Sequence, residues 1–296
     1  MNYKKILKQS IDLHVHIGPE IIPRKFTLSE LIDCERGKLK GVGIKNHFFS
    51  TAGMARSSPQ DGDPFVVDSV VLNSYVGGFN ADIIRASAEL SEKPIIVWFP
   101  TLNAEAFLRR QKFEIAEEWI DAKVQRTIKL RPAEKIKALF IFDDERKISK
   151  EVISVLSAVK ENNAILATGH ISWRESYELI KYAVETMGIK KIIVTHPIYQ
   201  KIDMPIEVQK ELAGLGALME QCYSMYSIDK ISIDKIAKQI REVGAKNCIL
   251  SSDVGQTFSK SPSEALADFI TLLEVEGITE DEIKIMLIHN PGRLVE

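Results

Sequence analysis

The chain has 296 residues, 45% of them hydrophobic, and a formal net charge of −2. That length and apolar share can bury a large core in one domain spanning residues 1–296, and a charge so near zero supplies no basic field to gather nucleic acid or an anionic membrane surface. No run approaches the roughly 20 apolar residues of a membrane span, and Cys34, Cys222 and Cys248 carry no CxxC spacing, which suggests a reducing, cytoplasmic setting without a disulfide framework.

The first strand is expected at residues 11–16, Ile-Asp-Leu-His-Val-His. Strict alternation would put Asp12, His14 and His16 on one face and Leu13 and Val15 on the other, so that two imidazoles reach one ion. Thr27 and Glu30 form a capping box that opens a helix to about residue 38. A second strand is expected at 41–47, then a long Gly/Ser/Pro/Asp-rich loop over 50–64, then a third strand at 67–74. Asn80 is placed to cap a helix reaching about residue 90, and residues 94–100 are the fourth strand.

Residues 103–137 break the rhythm: they are charge-rich and helical in pattern, with Phe107, Phe113 and Trp119 as apolar anchors. A small hairpin around Asp143-Asp144-Glu145 completes an insertion spanning 103–148. The rhythm resumes with a helix at 150–162 and strands at 164–170, 191–196, 217–222 and 247–253, alternating with helices opened by Ser172, Pro205, Ser232, Ser261 and Thr279. Eight short apolar strands alternating with helices predict an α/β fold with a parallel sheet, closed as a (β/α)8 TIM barrel with a helical and hairpin insertion after strand 4. An open doubly wound sheet is the alternative, but no glycine-rich phosphate cradle follows strand 1.

Active sites of such barrels lie at the C-terminal strand ends. There the sequence places His14 and His16, Lys45 and His47, His170, His196, Glu220 with Cys222, and Asp253, so that five of the six histidines fall at or near an expected strand end. Neutral imidazole and carboxylate are ligands suited to zinc, and also to manganese, iron or nickel. Asp12 lies one pleat deeper and is suited to orienting other groups. Cys222 reads as core, His289 as structural, and Arg56 as a solvated loop residue that could meet an anionic substrate.

The ordered set His14, His16, His170, His196 and Asp253 resembles the amidohydrolase superfamily, whose pattern is His-x-His after strand 1, a His after strands 5 and 6, and an Asp after strand 8. The tail Asn290-Pro291-Gly-Arg-Leu294 is similar to an ending common there. The resemblance implies one or two divalent ions, most simply zinc, held by those five residues, with Lys45, His47 or Glu220 as further ligands, since strand 4 ends Trp98-Phe99-Pro100-Thr101 without the lysine or glutamate of two-metal members. It implies hydrolysis of an amide, ester or phosphoester of a small molecule, with Asp253 as proton acceptor and His196 or Lys45 polarising the scissile oxygen. Two alternatives stand beside it. One is a silent metal- or ligand-binding barrel; the other is a lyase or decarboxylase using Lys45 as a Schiff-base amine. The loops 50–64 and 103–137 are expected to shape the pocket, and a homo-oligomer is compatible with all three readings.

Overall fold

The computed structural model describes residues 3–56, 62, 64–124 and 128–296. Among them run nine short strands: β1 (Ile11–His16), β2 (Gly41–Lys45), β3 (Phe65–Val67), β4 (Ser69–Val71), β5 (Ile96–Trp98), β6 (Ile165–Ala167), β7 (Ile192–Val194), β8 (Leu218–Cys222) and β9 (Cys248–Ser251). All pair in parallel, β1-β2-β3 in one sheet and β4 through β9 in chain order in another. The third expected strand is therefore two pieces. Asp68 turns outward, accepting from Thr51 Oγ1 at 3.2 Å and Ser91 Oγ at 2.8 Å, while Ser69 Oγ donates to the Ile44 carbonyl at 2.6 Å and ties β4 to β2. The ring closes between β1 and the chain leaving β9, where Val15 bridges Val254 and the Asp253 amide donates to the His14 carbonyl at 2.8 Å. The molecule is an α/β barrel of eight strand positions.

The barrel interior is filled by Ile11, Leu13, Val67, Val71, Ile96, Trp98, Ile165, Ala167, Ile193, Leu218 and Ile249, with Leu294 and Val295 of the C-terminal helix in the same cluster. A second layer, including Val15, Val42, Ile44, Val70, Val97, Leu166 and Val194, packs under the helices. The division follows from parallel strands buried on both faces. Helix starts are set locally: Thr27–Glu30, Ser172–Glu175, Ser261–Glu264 and Thr279–Glu282 all form complete capping boxes. Such caps contribute about 1 kcal/mol each. Asn290 donates to the Ala245, Lys246 and Cys248 carbonyls, which anchors the entry to β9.

Two expectations change. First, β1 does not alternate strictly. Its register against β2 slips between Asp12 and Val15, so Leu13 joins the barrel interior while Val15 joins the outer layer. A bulge of this kind re-aims side chains, and here His14 also points inward, against Trp98 at 4.4 Å between ring centroids. Gly43 makes the bulge fit, because a Cβ there would lie 2.6 Å from the Leu13 carbonyl oxygen. Second, the insertion is mostly irregular. It holds one short helix (Glu105–Leu108) and 3-10 turns at Glu117–Trp119 and Ala133–Lys135, with residues 125–127 outside the described set. The small hairpin is present, with Phe142 bridging Ile148 and the Asp143 amide donating to Lys147. Among the described residues no helix is long and apolar enough to cross a membrane.

Candidate metal centre

The strand ends deliver the expected side chains to one place. From β1, His14 Nε2 and His16 Nε2 lie 3.0 and 3.1 Å from Asp253 Oδ1, which follows β9. Donor atoms of these three residues all fall within 4.8 Å of one another. His196, after β7, lies 6.1 Å from His14 and 5.1 Å from His170 between ring centroids. His170, after β6, is aligned with it by a threonine exchange: the Thr195 amide donates to Thr168 Oγ1, and the Gly169 amide to Thr195 Oγ1, both at 3.0 Å. Gly169 takes φ +60°, and a Cβ there would collide with the Phe99 carbonyl oxygen, a place no larger residue fills without displacement.

Two of the five take left-handed backbone without being glycine, His196 at φ 24° and Asp253 at φ 51°. Such conformations cost on the order of 1 kcal/mol and persist where surrounding structure dictates them, commonly at functional sites. His16, His170, His196 and Asp253 line a narrow cavity with Arg24, His47, Trp119, Tyr199, Ser224, Met225, Ile228 and Gln256. Counted out to its mouth the cavity holds about 370 Å³ of atom-free space, but only about 20 Å³ admits the centre of a water-sized sphere, room for one ion or one water.

The other expected residues divide into two tiers. Lys45, Glu220 and Trp98 lie below His14 and do not line the cavity. The Glu220 carboxylate accepts from His14 Nδ1 at 3.2 Å, so the Nε2 lone pair of His14 faces the Asp253 side. This carboxylate–histidine arrangement sets the tautomer of a metal ligand. Lys45 Nζ donates to His14 Nε2 at 3.0 Å and sits 4.1 Å from the centre of the Trp98 ring. Lys45 is thus buried beneath His14 and is not among the residues that line the cavity. His47 lines the cavity, 4.7 Å from His16 and stacked on Trp119 at 5.9 Å, with Nδ1 bonded to Thr101 Oγ1 at 2.9 Å. Asp12 accepts from the Ser252 and His14 amides at 3.0 and 3.2 Å and so braces the two ligand-bearing strands. Cys222 is buried in the core, and His289 is exposed in the final helical segment. Of the loops, the insertion supplies Trp119, whereas none of the described residues of 50–64, exposed Arg56 included, lines the cavity; residues 57–61 and 63 lie outside the described set.

Sequence reasoning passed over several lining residues. Ser224, two residues past β8, donates to Asp253 Oδ2 at 2.6 Å and fixes that carboxylate. Arg24, Tyr199 and Gln256 also line the cavity from the loops after β1, β7 and β9. The signal available for them was position alone, since every loop after a barrel strand contributes to this face.

Burial sets the charge states. It pushes His196 down to about 4 and holds His16, His47 and His170 well below the usual imidazole range. It pushes Lys45 down to about 8 and Asp12 up to about 7. Burial alone would also raise Asp253 and Glu220, but the His14 ring beside each carboxylate holds both below the ordinary range. Neutral rings at His16, His170 and His196 beside ionised carboxylates are the state a divalent cation requires of such ligands. The buried Nδ1 atoms of His170 and His196 also lack partners among the described residues. The donor set fits a divalent cation held by His14, His16, His170, His196 and Asp253.

Comparison with known proteins places this geometry. The model of a family of unknown function, DUF6282, matches residues 9–220, well over half of the chain. The chain belongs to the DUF6282 family. The matched span carries four of the five candidate ligands and ends before β9 and Asp253. No curated protein matches by sequence. Among solved structures, this DUF6282 chain is similar to the probable dipeptidase PvdM from Pseudomonas aeruginosa, with TM-score 0.62 and 10% identity over 99% of this chain and 96% of that one. It is similar to the TatD homolog YJJV from Escherichia coli K12, with TM-score 0.56 and 13% identity over 98% of each. An amidohydrolase from Pseudomonas aeruginosa matches at TM-score 0.55 and 11% identity, over 99% of this chain and 98% of that one. At these identities the likeness is one of fold alone, and the fold is the α/β barrel expected from the alternation of strands and helices.

Proposed function

We propose that this DUF6282 chain is a metal-dependent hydrolase of small molecules, cleaving an amide, ester or phosphoester bond. The observation that carries the reading is convergence. Four nitrogen and oxygen donors, His16, His170, His196 and Asp253, line one cavity from the ends of four different strands, a fifth, His14, lies against Asp253, and two of the five take strained backbone. Zinc suits this set of nitrogen and oxygen donors best.

When bound, a divalent cation supplies Lewis acidity, making water ionisable near neutral pH and polarising a carbonyl or phosphoryl oxygen. The chain's own residues do the rest. Asp253, held by Ser224 on Oδ2, takes a proton from water as that oxygen attacks the carbon or phosphorus centre. The bond to the leaving nitrogen or oxygen then breaks, and Asp253 returns the proton to it. His196 and His170 face the cavity as neutral rings, and Trp119 and Tyr199 wall it from bulk water. Glu220 and Asp12 position His14 and β9, Lys45 occupies the Nε2 side of His14, and none of the three lines the cavity.

The test is a screen of zinc- and manganese-loaded protein against amides, lactones and phosphoesters, with Asp253→Asn as control. Turnover of one class, falling at least about a thousandfold in Asp253→Asn while circular dichroism is unchanged, is the expected result. Equal turnover in the variant, or none on any class, overturns the assignment.

A further inference from the structure

The loop after β1 carries an arginine that neither the ligand set nor the proposed mechanism uses. The Arg24 side chain is 1% exposed. Its Nε and Nη2 both meet Glu20 Oε2 at 2.6 Å, and Nη2 also donates to His16 Nδ1 at 3.2 Å. The third nitrogen, Nη1, is buried with no hydrogen-bond partner among the described residues. An unpartnered buried donor on a charged group is costly and does not persist without compensation. Arg24 is also held firmly. Its backbone bridges Gln256, the Lys25 amide donates to the Gly255 carbonyl at 2.8 Å, and Glu20 is fixed in turn by the His47 amide. The group faces the cavity beside His16, His47 and Gln256.

We propose that Arg24 is the anchor for a carboxylate on the substrate, so that the reaction acts on a small carboxylate-bearing amide or ester. Only the word substrate rests on the hydrolase reading; the anion site stands on the arginine alone. Hydrogen-bond capacity selects a carboxylate over a phosphate. The buried Glu20 carboxylate already takes Nε and Nη2, and the remaining capacity is the two N–H bonds of Nη1. The two oxygens of a carboxylate match those two bonds, whereas a phosphate dianion would bring a third oxygen and a second charge with no donor of this arginine left to meet them. The narrow cavity, lined also by Trp119, restricts the substrate to a small molecule.

The test is titration calorimetry of the purified full chain with propionate, with its neutral counterpart propionamide and with inorganic phosphate, on wild type, Arg24→Gln and Arg24→Lys. Wild type binds propionate at least about tenfold more tightly than propionamide, and both variants lose that preference while keeping their metal content and circular dichroism. If Arg24→Gln does not fold, Arg24→Lys carries the test, since it keeps the positive charge against Glu20 and loses only the fork. Wild type that binds neither propionate nor phosphate overturns the proposal, as does a variant with undiminished propionate affinity. Loss of metal in Arg24→Lys alongside propionate binding overturns it too, because the arginine would then serve His16 and not a ligand. Phosphate binding more tightly than propionate, and doing so through Arg24, overturns the choice of carboxylate. The two readings fail separately. A substrate screen without turnover leaves Arg24-dependent propionate binding intact, and turnover of uncharged substrates that Arg24→Gln does not slow removes this proposal alone.

Discussion

At the scale of single residues, His14 Nε2 is contested. Lys45 Nζ stands 3.0 Å from it and Asp253 Oδ1 also 3.0 Å, so an ammonium occupies space that a metal on His14 would need. Two cations cannot share one lone pair. Replacing Lys45 with methionine, similar in length and uncharged, therefore raises metal affinity, whereas Glu220→Gln, which weakens the hold on His14 Nδ1, lowers it by about 10- to 100-fold. Competition against a coloured chelator measures both. Metal lost in Lys45→Met would instead make the lysine itself a ligand. The five candidate ligands were legible from the sequence because each is a chemically distinctive residue at a strand end. The roles of Lys45 and Glu220 were not, because spacing cannot say which ring nitrogen of His14 each one meets. Ser224 and Arg24 were missed for a related reason: serine and arginine are ordinary loop residues until a buried partner, or the lack of one, singles them out.

At the scale of elements, the slip in β1 decides where His14 points. Strict alternation would have set Leu13 and Val15 on one face, yet they sit in different layers of the barrel. Nothing in Ile-Asp-Leu-His-Val-His announces a bulge, since its cause lies across the sheet, where Gly43 leaves room for the Leu13 backbone. Gly43→Ala should therefore cost about 1–3 kcal/mol through overpacking, and it should weaken metal binding as well by shifting His14. Thermal unfolding and the same chelator competition read the two effects, and an alanine variant unchanged in both would show that the bulge does not depend on this glycine. The helix starts were legible for the opposite reason. A capping box is closed by residues three apart, so Thr27, Ser172, Ser261 and Thr279 declare their helices without tertiary information.

At the scale of the whole molecule, the barrel was legible in the alternation of short apolar strands with capped helices, and it follows that matched residues land on one face. The split at Asp68 escaped notice because residues 67–74 read as one strand. The insertion was harder still. Phe107, Phe113 and Trp119 are spaced as if on helices, but the first and last are spent against the site, Phe107 on His170 at 5.1 Å and Trp119 on His47. Tertiary contact, not local periodicity, shapes that segment, and it narrows the cavity above the histidines. The account rests throughout on those histidines holding a cation. Its most direct test is elemental analysis of metal per chain in purified protein, with His14→Ala/His16→Ala as control. About one or two divalent ions per chain, lost in the double variant while its fold persists, is the predicted result. Protein that carries no metal, and takes up none after dialysis against zinc or manganese, would contradict it.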